Sequence, residues 1–236
     1  MAVSKKLLTI FALLLPVSFA LGWVGGIKRW PPSNQLIALV KGIPTRPQQR
    51  EAILMDIRPA HVTFVGDSIT AEGLWNEYFD PSIAIANRGF PSASTADVLG
   101  KLPVIVATQP RLYLVMLGVN DMLLRHWGPE RSVANLLQLR QKILAATPGS
   151  RVVLQSTLEC LPPHCSEQVL NNIRSLNRTL KAVLPDFAFL DLNSVLANAK
   201  GLNPAYTYDG IHLNAKGYLA WRELLKPILH RHLRRG

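Results

Sequence analysis

The chain reads as an α/β fold built on a five-stranded parallel sheet. Two patterns lead there. Short β-branched or apolar runs alternate five times with helical stretches, which is how strand–crossover–strand units are written. Residues 111–117 are almost wholly apolar, as expected of a central strand covered on both faces. Right-handed crossovers then leave few topologies. Open α/β sheets bind their ligands at the carboxyl edge, so the loops after the strands are the place to look for chemistry.

The first strand spans residues 62–65, because Val62, Thr63, Phe64 and Val65 are β-branched or aromatic. Gly66 ends it, and Asp67, Ser68 and Thr70 are helix-capping types. A helix is expected over 71–79, with Leu74, Trp75, Tyr78 and Phe79 on one side. A second strand follows at 83–87, a loop at 88–94 and a helix at 95–102. The third strand, 111–117, runs directly into Gly118, Val119, Asn120 and Asp121. Helical spacing of Val133, Leu136, Leu137, Arg140 and Leu144 marks 129–146. The fourth strand is 152–156. A long helix at 167–184 follows from Val169, Leu170, Ile173, Leu176, Leu180 and Val183. The fifth strand is 187–191, and a closing helix covers 214–233. Trp75, Trp127 and Trp221 are expected in the core or a pocket wall.

Three groups of reactive residues fall at strand ends: Asp67-Ser68, the stretch 87–94, and 118–121. A fourth, residues 208–214, precedes the closing helix. A strand–turn–helix lifts Ser68 to the sheet edge as a candidate nucleophile; the plainer alternative is a helix cap. Asp209 and His212, three residues apart, can pair so that one imidazole nitrogen faces the carboxylate and the other faces away. A hydroxyl nucleophile needs such a base and orienting acceptor. Alternatively, Asp209 is a turn residue and His212 a helix-entry residue.

Gly-Asp-Ser-Ile-Thr (66–70), Asn-Arg-Gly (87–89), Gly-Val-Asn-Asp (118–121) and Asp-Gly-Ile-His-Leu-Asn (209–214) occur in one order at compatible spacings. Together they resemble the SGNH (GDSL-type) hydrolase family of esterases and lipases, over residue 61 to the C-terminus. The resemblance implies a flavodoxin-like three-layer α/β/α sandwich and a serine esterase. Ser68 would attack the ester carbonyl, His212 serve as base and then acid, and Asp209 orient it. The Ser68 N–H and the Asn120 amide would stabilise the oxyanion, while Asp67 and Asp121 fix the two turns. Members of the family carry a glycine and then an acidic residue shortly after Asn-x-Gly; Ser92-Ala93 stands there instead. A serine keeps the N–H, so Ser92 is the expected third donor; it tolerates positive φ poorly, which leaves Gly89 as the substitute, or an altered loop that gives no donor. Asn-Arg-Gly (87–89) combined with the stretch from Tyr206 to Tyr218 resembles acetylhydrolase-like members, and no cofactor is implied.

Cys160 and Cys165 flank Leu-Pro-Pro-His and are expected to form a small-loop disulfide. A metal site with His164 is the alternative, with only three ligands on offer. His61, His126, His230 and His232 are expected to be ordinary surface or packing residues, since the sequence alone suggests no partner for them.

The N-terminus is a separate matter. Lys5 and Lys6 precede an apolar run over 7–27, followed by Lys28 and Arg29. The run reaches the roughly 20 residues a span needs, and Ser18-Phe19-Ala20 also resembles a signal cleavage site. Residues 1–30 are therefore expected to be an anchor or signal, 31–50 a Pro-rich linker with a helical piece around 36–40, and 51–236 the hydrolase domain, opening with a helix at 51–57. Either way the domain is expected outside the cytoplasm: membrane-anchored, or secreted if the segment is cleaved. The net charge of +11 favours anionic surfaces. No stretch interleaves basic and aromatic residues as single-strand binders do, so nucleic acid is not the expected partner.

The expected activity is hydrolysis of short acyl or acetyl esters of lipid or carbohydrate. The alternatives are a lysophospholipase or thioesterase on longer chains, and a catalytically silent glycan- or lipid-binding module.

Overall fold

The computed structural model describes Leu54 and residues 57–233. The expected segments at 1–30 and 31–50, and most of the helix at 51–57, lie outside those residues. Among the described residues no helix is long and apolar enough to cross a membrane.

Five parallel strands form the sheet: β1 (Val62–Gly66), β2 (Ile85–Gly89), β3 (Leu112–Met116), β4 (Arg151–Gln155) and β5 (Phe189–Leu190). Their order is β2-β1-β3-β4-β5. All of β1 and β3 is buried, which is why both are written in unbroken apolar or β-branched residues. The order reverses direction between β1 and β3. That switch point opens a crevice at the carboxyl edge, and Ser68 and Asn120 follow the two strands that flank it.

Nine helices are described: α1 (Ser68–Glu72), α2 (Trp75–Tyr78), α3 (Thr95–Leu99), α4 (Leu102–Val106), α5 (Val119–Leu123), α6 (Pro129–Ala146), α7 (Glu167–Val183), α8 (Asn193–Leu196) and α9 (Ala215–Leu233). α6 packs with α3, α4 and α7 against one face, while α1, α2, α8 and α9 cover the other. Between α1 and α9 lies an aromatic cluster. Phe64 stacks on Trp75 at 4.0 Å, and Trp75 meets Trp221 edge-on at 4.8 Å. Trp221 Nε1 donates to Gln155 Oε1 at 2.7 Å, giving the buried indole its polar partner.

The fold is the expected three-layer sandwich, and local boundaries differ. The helix expected at 71–79 is two short ones. α1 starts earlier, at Ser68, and stops because the Trp75 indole lies against Gly73 and donates to the Thr70 carbonyl. Leu74, expected on the apolar side, sits in the break and is exposed. β2 begins two residues late and takes in Arg88 and Gly89, which were expected in the loop. The helix at 95–102 ends at Leu99, and α4 follows with Pro103 in its first turn. α5 forms where a loop was expected. Val183 is exposed rather than on the buried stripe. The fifth strand shrinks to two residues, preceded by a 3-10 turn (Asp186–Ala188). A two-residue hairpin, β6 (Ala197–Asn198) with β7 (Gly201–Leu202), carries no periodicity long enough to read from sequence.

Candidate active site

Ser68 occupies the first position of α1. Asp67 caps that helix, its Oδ1 accepting from the Ile69 N–H at 3.0 Å. The turn is tight: a Cβ on Gly66 would collide with Thr70 Oγ1 and the Met116 carbonyl. Ser68 is half-buried, and its N–H, at a helix start, has no intrahelical acceptor.

His212 reaches this serine from the far end of the chain. Its Nε2 lies 2.9 Å from Ser68 Oγ, and its Nδ1 lies 2.7 Å from Asp209 Oδ2. Asp209 Oδ1 accepts from the N–H groups of Ile211 at 2.9 Å and His212 at 2.7 Å. Partial burial of Asp209 opposes its ionisation. Hydrogen bonds from the His212 ring and those two N–H groups outweigh it, so its carboxyl sits below the usual range. An ionised Asp209 accepts from Nδ1–H and leaves Nε2 as the acceptor for the serine hydroxyl.

The loop bearing these two residues is braced from three directions. Thr207 Oγ1 donates to the His212 carbonyl at 2.6 Å and accepts from the Gly210 N–H at 2.8 Å. The Leu161 N–H donates to the Gly210 carbonyl at 2.8 Å. Leu161 lies in the loop closed by a Cys160–Cys165 disulfide, whose Cα atoms are 5.5 Å apart. The bond leaves no thiolate for the metal alternative with His164. Tyr208 lies nearly parallel to the His212 ring at 5.8 Å, and its hydroxyl donates to Glu72 Oε2 at 3.2 Å. Tyr206 turns its carbonyl onto Gly217, where a Cβ would clash.

Asn120 sits in the first turn of α5, buried, and its Nδ2 donates one hydrogen to the Ala93 carbonyl at 3.1 Å. A second amide hydrogen remains. Ser92, one residue before that carbonyl, has φ of +61°, the left-handed conformation that a glycine would adopt freely. Asp121 ties the loop down, accepting from the Thr95 N–H at 2.9 Å and from Ser132 Oγ at 3.0 Å. Burial pushes the Asp67 carboxyl up to about 7, against the pull of the Ile69 N–H and the nearby His212.

The sequence by itself assigns Asn87 no individual role. Its Nδ2 lies within reach of the Thr70, Ala71 and Gly73 carbonyls at the end of α1, and its Oδ1 accepts from the Gly89 N–H at 3.0 Å. Its place in the Asn-Arg-Gly triplet was the available signal. Tyr218 likewise donates to the Ile69 carbonyl at 2.6 Å, fastening α9 to α1. His61 does have a partner: its Nδ1 accepts from the Ala84 N–H at 2.9 Å.

A model of the GDSL-like lipase/acylhydrolase family matches residues 64–220. The chain belongs to this family. It is accordingly a hydrolase acting on ester bonds. Two solved structures of similar architecture are a Bacteroides fragilis protein provisionally assigned as an acylhydrolase and a GDSL-like lipase from Bacteroides thetaiotaomicron. The first is 26% identical, covers 80% of this chain and 96% of its own, and has a TM-score of 0.66. The second is 22% identical, covers 86% and 97%, and has a TM-score of 0.63. A stretch of 107 residues is 32% identical to the N-acylneuraminate cytidylyltransferase of Escherichia coli, covering 44% of this chain and 25% of that protein. The match therefore spans about a quarter of that relative's length.

Proposed function

We propose that this GDSL-family hydrolase cleaves short acyl esters, acetyl esters of lipid or carbohydrate above all, through Ser68, His212 and Asp209. The observation that carries the reading is the unbroken hydrogen-bond chain from Ser68 Oγ through both imidazole nitrogens to Asp209.

In this mechanism Ser68 Oγ attacks the ester carbonyl carbon while His212 Nε2 takes its proton. The carbonyl oxygen becomes an oxyanion. The N–H groups of Ser68 and Ser92 and the free amide hydrogen of Asn120 are the donors assigned to it. His212 then returns the proton to the departing alcohol, leaving Ser68 acylated. Water attacks the acyl carbonyl carbon as His212 Nε2 takes its proton; the bond to Ser68 Oγ then breaks, His212 returns the proton to that oxygen, and the acid is released. Asp209 stays ionised and holds the imidazole in the required tautomer. The left-handed Ser92 supports an oxyanion loop of the glycine-bearing kind, which weighs against a silent binding module.

We further propose that the domain works outside the cytoplasm, held by the N-terminal segment. The apolar run at 7–27 supports this, as does the disulfide, since such bonds persist in oxidising compartments. Intact mass of the native protein reports whether that run is retained.

A serine-directed fluorophosphonate probe tests the mechanism. Wild type is expected to label and Ser68→Ala not, with hydrolysis of p-nitrophenyl acetate falling by more than about a thousandfold. Absence of labelling in a folded wild type overturns the mechanism. Faster turnover of long-chain than acetyl esters replaces the short-acyl reading with a lysophospholipase or thioesterase.

A further inference from the structure

The amino edge of the sheet, at the opposite end from Ser68, carries a cavity of about 610 Å³ lined by Arg111, Arg151, Arg231, His232, Phe187 and Gly149. The topology explains why. Arg111 immediately precedes β3, Arg151 opens β4, Phe187 leads into β5, and Arg231 lies in the last turn of α9. An adjoining cavity of about 280 Å³ shares Gly149, Arg151 and Phe187 and adds Arg140.

Among the described residues no carboxylate lines either cavity, and Arg111, Arg151 and Arg231 form no ion pair. Asp186, next to Phe187 in the chain, lines neither. Arg140 Nε is buried without a hydrogen-bond acceptor, a costly state unless something supplies one. Four guanidinium groups gathered with no carboxylate among the described residues around them suit an anion, and a guanidinium fork matches phosphate oxygens best. The volume is in the range of small-molecule sites and exceeds what one phosphate ion fills. Phe187, which lines both cavities, is an exposed aromatic ring (58%). Cationic groups beside an exposed apolar ring suit the boundary between lipid headgroups and acyl chains.

We propose that this cavity binds the phosphate of an anionic phospholipid headgroup, docking the domain on a membrane surface by the end of the sheet remote from Ser68. The nucleophile then faces away from that surface, toward esters that are not embedded in it. The overall charge of +11 adds attraction of the same sign. The proposal is independent of the catalytic roles assigned above.

Calorimetric titration of the full chain in neutral-detergent micelles tests it. The probe is an ether-linked phosphatidylglycerol, which an esterase cannot cleave, with ether-linked phosphatidylcholine as the zwitterionic control. Saturable binding of phosphatidylglycerol is expected, weakened about a hundredfold in the triple variant Arg111→Gln, Arg151→Gln, Arg231→Gln. The variant Arg178→Gln, Lys200→Gln, Lys216→Gln removes the same charge from other exposed positions and is expected to bind like wild type. A cooperative thermal unfolding transition and a wild-type circular dichroism spectrum check that each variant is folded; Arg151→Gln alone serves if the triple is not. Equal losses in the two triple variants overturn the site in favour of general charge. Equal binding of phosphatidylcholine overturns the phosphate requirement. Inorganic phosphate or a single-stranded oligonucleotide binding as tightly as phosphatidylglycerol, through the same arginines, overturns the membrane assignment.

Discussion

Ser92 holds φ of +61°, a conformation that costs an L residue about 1–2 kcal/mol. Glycine there relieves that strain and adds roughly 0.5–1 kcal/mol of unfolded-chain entropy to lose. Ser92→Gly is therefore expected to keep its esterase activity within about twofold and its stability within about 1 kcal/mol. Ser92→Val, β-branched, is expected to lose both, as read by turnover and thermal unfolding. Asn120→Ala removes a proposed oxyanion donor, and kcat is expected to fall about 10²–10³-fold while the fluorophosphonate still labels Ser68. Asp67 gives a pH signature. Burial raises its carboxyl from 3.8 to about 7. Below the unfolded value both states carry the proton. As pH rises from there to about 7 the unfolded state ionises first, so stability falls, and the loss is complete above 7. Asp67→Asn keeps the acceptor for Ile69 and removes this fall. Denaturant titration should find it close to wild type at pH 4 and more stable than wild type at pH 8.

At the scale of elements, the site depends on short pieces locked by neighbours rather than on long helices. α1 has five residues and is held by Asn87, Tyr218 and Trp75 through the carbonyls of its own backbone. Gly66→Ala forces a Cβ into Thr70 and the Met116 carbonyl, so little soluble, folded protein is expected on expression. The disulfide loop braces the turn carrying Asp209 and His212 through Leu161. Reduction, or Cys165→Ser, is expected to cost about 2 kcal/mol in stability and to lower kcat measurably before the protein unfolds. Unchanged kcat on reduction would mean that Thr207 and Asp209 hold the turn unaided. Elements with long periodicity were legible in the sequence: α6 is found at the expected 129–146, and α7 ends one residue short of its expected 167–184. The break at Gly73 was not, because a tryptophan two residues ahead folds back over the glycine. Nor was β5, where propensity marked five residues and the sheet pairs only two, Phe189 and Leu190.

Across the whole molecule, the strand order sets the two ends apart. The switch point between β1 and β3 gathers Ser68 and Asn120 at the carboxyl edge, and His212 arrives with the turn before α9. Basic residues collect at the amino edge, where a headgroup site is inferred. The location proposed for the domain also belongs to this scale. In intact cells, a membrane-impermeant reductant is expected to reach Cys160–Cys165 while the cytoplasmic membrane stays sealed; protection until that membrane is breached would sink that proposal.

By itself the sequence determined the parallel α/β class, the sequence order of the main elements and the identity of the candidate residues. Apolar periodicity, capping residues and short motifs are local properties, readable within a few positions. Only the tertiary structure decided that Ser68 and His212, 144 residues apart, come within 2.9 Å, that Ser92 takes up a glycine's conformation, and that Arg111, Arg151 and Arg231 share one cavity. Each of those depends on how distant segments pack, and packing is a property of the whole chain at once.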